Sequence, residues 1–94
     1  MPVFNISLLI ALPLCTSLKE KRNLIKPIIQ KVQCKFNVSI SEMALNDKWR
    51  SALISIVMVS NNSRHLQSES QAVLNYIEEN FRQIEIIDYK IDTL

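Results

Sequence analysis

Residues 17–36 read SLKEKRNLIKPIIQKVQCKF, and the fold follows from what this stretch must be and what it must pack against. Ser17 followed by Glu20 has capping-box spacing: the hydroxyl accepts from the third backbone N–H while the carboxylate reaches back to the N–H of the cap residue. A helix therefore starts near Leu18. Apolar residues recur at Leu18, Ile25, Ile28, Ile29, Val32 and Phe36, the three-to-four spacing that lays one stripe along a helix. The remaining surface holds Lys19, Lys21, Arg22, Lys26, Lys31 and Lys35 against the single acid Glu20, a local charge of +5. Pro27 falls inside the helix, where proline removes a hydrogen bond and crowds the preceding turn at a cost of about 3 kcal/mol. A kink between Asn23 and Pro27 is expected, with packing holding both halves.

Strands flank this helix on either side. Before it, Val3 to Leu12 alternates, with Phe4, Ile6, Leu8, Ile10 and Leu12 on one face and Asn5, Ser7, Leu9 and Ala11 on the other. After it, Asn37 to Leu45 alternates as an edge strand does, with Val38 and Ile40 opposed to Ser39 and Ser41. Asn46, Asp47 and Lys48 make a polar turn. From Trp49 to Ser60 the centre, ALISIVMV, is nearly continuous apolar sequence and reads as a central strand covered on both sides. Asn61, Asn62 and Ser63 form a turn and cap a second helix over 64–80, with Leu66, Val73, Leu74 and Ile77 inward. The chain closes on a strand from Ile84 to Thr93, where Ile87, Tyr89 and Ile91 alternate with Asp88, Lys90 and Asp92.

The element order β-α-β-β-α-β predicts an α+β domain of the ferredoxin-like, split βαβ kind. Right-handed crossovers place the strands in the order 4-1-3-2 in an antiparallel sheet, with both helices on one face. The near-continuous strands fall on the two central positions and the alternating ones on the edges, so pattern and topology agree. Ninety-four residues, 48% of them apolar, fit a single domain over 1–94 with a core that needs no staples.

Composition removes several functional classes. There is no glycine, which argues against P-loop, dinucleotide-binding and nucleophile-elbow chemistry, since those turns need backbone conformations that only glycine adopts cheaply. Cys15 and Cys34 flank the helix and are held roughly 25 Å apart by it, whereas a disulfide needs Cα atoms within about 7 Å. Two structural thiols in a reducing compartment are expected. The apolar start, MPVFNISLLIALPLC, has no Lys or Arg before the apolar run and Leu14 where a cleavage site wants a small residue. No run approaches the ~18 apolar residues of a membrane span. The reading is a cytoplasmic protein with no membrane segment, so the N-x-S sequons at Asn5, Asn37 and Asn61 carry no weight. Overall charge is +2, but residues 66–94 carry Glu69, Glu78, Glu79, Glu85, Asp88 and Asp92 against Arg82 and Lys90, a local charge of −4. The molecule is expected to be bipolar.

The segments SLKEKR, FNVSISE, DKW, SNNSRHL and IDYKI, spaced as they stand here, resemble the YlxP-like family of small bacterial proteins, and the likeness spans nearly the whole chain. The resemblance implies a ferredoxin-like fold, an uncharacterised function and an association with ribosomes or RNA. It marks Ser17, Glu42, Asp47, Trp49, Asn61 and His65 as matched polar and aromatic positions of unknown role. The chain departs from the family pattern at Ala44, Leu14, Ser7 and Leu9.

These positions do not assemble into a catalytic site. Glu42 is in phase with Val38 and Ile40, so it points toward the helices and needs a partner. Arg22 or a neighbouring lysine fits, and a structural ion pair outranks a catalytic acid. His65 is the only histidine; without a second His or a Cys in ligand spacing it makes no metal site. The helix start at Ser17, with Thr16 and Lys19, could hold an anion, but ordinary capping uses the same donors. No enzyme, metal or cofactor is expected.

Two classes of function remain. The first is a ribosome- or RNA-associated module contacting phosphates through the basic helix, with Lys19, Lys21, Arg22 and Lys26 as the contacting residues. Base stacking on the open sheet face needs aromatics there, and that face offers Ser7, Ser55 and aliphatic residues. The second is a homodimeric interaction module without nucleic-acid binding, in which Leu9, Ala11, Leu53, Val57 and Val59 on the open sheet face meet a second copy.

Overall fold

Phe4, Ile6, Leu8 and Ile10, the even-numbered residues of strand β1 (Val3–Ala11), are buried in a computed structural model that describes residues 2–45 and 48–94. Ala52, Ile54, Ile56 and Met58 of β3 (Ser51–Val59) are buried on the same face. The two strands are antiparallel neighbours, with Leu8 opposite Ile54 and Ile6 opposite Ile56, so the apolar rows coincide. β2 (Ser39–Ala44) adds to β3 and β4 (Glu85–Thr93) adds to β1, giving the order β2-β3-β1-β4. This is the expected 4-1-3-2 ferredoxin-like sheet. The odd-numbered residues of the two central strands are half-buried, and Val59 is exposed, rather than covered by a second layer. Their apolar character is satisfied by cross-strand neighbours on an otherwise open face.

Helix α1 (Leu18–Lys35) and helix α2 (Ser63–Asn80) supply the opposite side of the core. On α2 the buried stripe is Leu66, Ser70, Val73, Leu74 and Ile77; Ser70 is tolerated because its hydroxyl donates to the Leu66 carbonyl at 2.8 Å. Asn62 caps α2, its side-chain oxygen accepting from the N–H of Arg64 and of His65. α1 runs through Pro27 without interruption. The carbonyl that proline leaves without an intrahelical donor belongs to Asn23, an exposed residue, while buried Ile25 and Ile28 hold the turns on either side.

The start of α1 departs from the predicted capping box in one respect. Ser17 accepts from the Glu20 N–H at 3.1 Å, as expected, but the Glu20 carboxylate accepts from the Thr16 hydroxyl at 2.8 Å. The far ends of the helices meet in an aromatic cluster, with Phe36 edge-on to Tyr76 at 5.7 Å and Tyr76 edge-on to Phe81 at 6.1 Å. Cys15 is buried and Cys34 exposed, both as free thiols.

Candidate nucleic-acid interface

The α1 stripe contains a residue that the charge pattern assigned to the surface. Positions 18, 21, 25, 28 and 32 form one helical row, and Lys21 is 2% exposed within it. It is therefore not a phosphate-contacting residue. Its ammonium lies 2.8 Å from Glu42 Oε2 and donates to the carbonyls of Leu45 and Lys48, each at 2.6 Å. The contact with Oε2 is one of charge rather than a directed hydrogen bond. Glu42, opposite Ile54 on β3, faces the helices as its phase predicted, and its partner is Lys21 rather than Arg22.

This buried cation holds the connection between β2 and β3. Leu45 has φ 64, in the left-handed region that a residue with a side chain enters at a cost of roughly 1–2 kcal/mol. Its carbonyl accepts both from Lys21 Nζ and from the Lys48 N–H at 2.9 Å, closing the turn. Asp47 lies outside the described residues. Beyond the turn, Trp49 is 46% exposed between exposed Lys48 and Arg50. Arg50 Nε donates to the Cys15 carbonyl at 3.3 Å, which ties this segment to the chain entering α1.

Two open clefts lie along this edge. One, of about 580 Å³, is lined by Leu18, Lys48, Trp49, Arg50 and Ser51. The other, of about 400 Å³, lies between α1 and β2 and is lined by Arg22, Ile25, Lys26, Ile29, Gln30 and Glu42. The Lys21 clamp stands between them, since it bonds Glu42 in the wall of the second and Lys48 in the wall of the first. Each cleft of this two-part groove is lined by apolar residues and cations together, Lys48 and Arg50 in the first and Arg22 and Lys26 in the second. Lys19, Arg22 and Lys26 are exposed on α1, and none is ion-paired to another described residue. Farther along the helix, Lys31 lies 5.8 Å from the Phe81 ring centre and Lys35 lies 5.4 Å from that of Tyr76, so the unengaged cations gather at the N-terminal half.

The remaining sequence candidates are dispersed. Ser17 caps α1 at the groove end of the molecule, where Ala11 pairs with Ser51. Asn61 and His65 are exposed at the opposite end, beyond the Val3–Val59 pair. Among the described residues, no group of three or more His, Cys, Asp or Glu is placed to hold a metal ion, and no helix is long and apolar enough to cross a membrane.

The open sheet face carries Leu9, Ala11, Leu53, Val57 and Val59, but not as one patch. Register places Lys90, Ser7, Ser55 and Ser41 in a polar row across all four strands. That row separates Leu9, Ala11 and Leu53 from Val57 and Val59. Asn5 ties into the row, donating to the Ser7 hydroxyl at 3.2 Å and accepting from that of Ser55.

The roles of Lys48 and Arg50 escape a reading by motif, although a cation on each side of an aromatic was a usable signal. For Lys21 the signal was its spacing of four from Ile25 and seven from Ile28.

Residues 3–91 match a family model described as a protein of unknown function, DUF503. A relative in Bacillus subtilis (strain 168), described as uncharacterized protein YlxP, is 45% identical over 69 residues, covering 73% of this chain and 74% of its own. These matches bear out the YlxP-like resemblance read from the sequence. A de novo designed protein with a ferredoxin fold, solved in solution by NMR, superposes with a TM-score of 0.58 at 15% identity, covering all of this chain and 84% of that one. That likeness establishes the fold alone.

Proposed function

We propose that this chain, which belongs to the DUF503 family of proteins of unknown function, is a non-catalytic accessory module that binds unpaired RNA, on the ribosome or free of it, through the groove along α1. The observation that carries this reading is the Lys21 clamp. A buried ammonium that is ion-paired to Glu42 and donates to the carbonyls of Leu45 and Lys48 holds an exposed tryptophan and its flanking cations beside the basic start of α1. Cations in a row neutralise successive phosphates, and an exposed aromatic face stacks a base of any identity. Lys19, Arg22, Lys26 and Lys48 act as phosphate contacts in this scheme, and Trp49 as the stacking platform. Stacking on Trp49 needs an unpaired base, so in this reading the ligand is a single strand rather than a duplex.

The experiment is capture of tagged protein from cell lysate, with and without nuclease, followed by co-sedimentation with ribosomes. Wild type is expected to bring down RNA that nuclease releases, and Lys19→Glu with Lys26→Glu to abolish it. Capture indifferent to both nuclease and the double substitution refutes the reading.

A further inference from the structure

We propose that the free edge of β4 pairs antiparallel with β4 of a second copy of this chain, about a two-fold axis at Ile91. β4 is nine residues long and hydrogen-bonded on one side only, to β1. A strand edge of this kind presents unpaired N–H and C=O groups to any strand that fits. The opposite edge is blunter: β2 has six residues, a register shift between Glu42 and Ala44, and a carboxylate committed to Lys21.

The side chains of β4 are unfinished on the same side. Tyr89 lies opposite Leu8 and Ile91 opposite Ile6, two fully buried residues, yet Tyr89 remains 48% exposed and Ile91 40% exposed. They point to the helix-covered face, but no strand beyond them completes that cover.

The charges choose the register. In a two-fold antiparallel pair, directly opposite residues share a face. An axis at Lys90 sets Lys90 against its own copy and Asp88 against Asp92, which repel. An axis at Ile91 sets Lys90 against Asp92 twice, Ile91 against its own copy, and Tyr89 against Thr93. It also uses only the regular part of β4, because the bulge opposite Leu9 and Ile10 lies before Asp88. An axis at Tyr89 would also oppose Asp88 to Lys90 but would draw the bulged Ile87 into the pairing. The existing Lys90–Asp92 contact within the chain is long, at 3.6 Å, and exposed, so exchanging it for a partner across the interface sacrifices little. Both grooves stay open in the resulting dimer, since they lie at the other edge of each sheet.

Sedimentation equilibrium of the full chain at micromolar concentration tests the pairing. Wild type is expected to sediment as a dimer. Lys90→Asp, which sets a second carboxylate against the partner copy's Asp92, is expected to weaken association by roughly tenfold or more, and Lys90→Asp combined with Asp92→Lys to restore it. Ile91→Lys is expected to give a monomer, with circular dichroism checking that it folds; the charge reversals, being at exposed positions, keep the test valid if it does not. Val57→Lys on the open face is expected to leave the dimer intact. A monomeric wild type, a dimer indifferent to the Lys90 reversal, no restoration in the double reversal, or a dimer split by Val57→Lys would each overturn the proposal.

Discussion

Lys21 is 2% exposed on the apolar stripe of α1, and an ammonium can occupy such a position only if a counter-charge and hydrogen-bond acceptors compensate it. The Glu42 carboxylate supplies the counter-charge, and the two acceptors are carbonyls of Leu45 and Lys48, just before Trp49. Removing the cation leaves the Glu42 carboxylate without its counter-charge and the Leu45 carbonyl without one of its donors. Lys21→Met is therefore expected to destabilise the fold by about 3 kcal/mol, and Glu42→Gln, which keeps an acceptor, by about 1 kcal/mol. Urea denaturation measures both; a Lys21→Met variant within about 0.5 kcal/mol of wild type, the range of ordinary surface changes, would contradict the clamp. The phase of Glu42 and its need for a cation were legible in the sequence. The partner was legible only as Arg22 or a neighbouring lysine, because a lysine in a run of lysines reads as surface until its place in the helical row is counted.

At the level of elements, periodicity located all six, with ends displaced by one or two residues, because alternation along β1 and β3 and the helical row along α1 each point to one buried face. The bulges were not legible. Met43 and Ile87 fall where β2 and β4 shift register, and both are largely exposed; a bulge follows from how one strand must bend along its neighbour and leaves no mark in an alternating pattern. The groove was invisible for a similar reason, since it is made by bringing the 48–51 segment against Leu18, about thirty residues away in the chain. Trp49 is the only tryptophan, so its fluorescence reports this element directly. A short unstructured RNA is expected to quench it, and a duplex to leave it nearly unchanged. Trp49→Ala should weaken binding about tenfold, in line with the roughly 1–3 kcal/mol of one stacked base, whereas Trp49→Phe should keep most of the affinity. Unaltered affinity in Trp49→Ala would remove stacking while leaving the phosphate contacts standing.

Across the whole molecule, charge and topology separate two surfaces. The cations Lys19, Arg22, Lys26, Lys48 and Arg50 gather toward the β2 edge, while α2 and β4 carry Glu78, Glu79, Glu85, Asp88 and Asp92 toward the other. Repulsion by the acidic side favours approach of a polyanion from the groove side. If β4 pairs with its copy, two grooves stand at the outer edges of one continuous sheet, and a long RNA could engage both at once. The strand order and the bipolar charge were expected from the sequence; the separation of the two edges needed the sheet. The proposed function rests on the groove neutralising phosphates of an unpaired strand, and the affinity for a labelled unstructured RNA as a function of salt reads that neutralisation out. With about three to five contacts at about 0.7 each, log K should fall against log salt with a slope between about −2 and −3.5. Lys19→Glu with Lys26→Glu should flatten that slope by at least ~1.4. An affinity unchanged between roughly 0.05 and 0.2 M salt, or a slope that the double substitution leaves intact, would mean that the groove does not bind RNA through its phosphates.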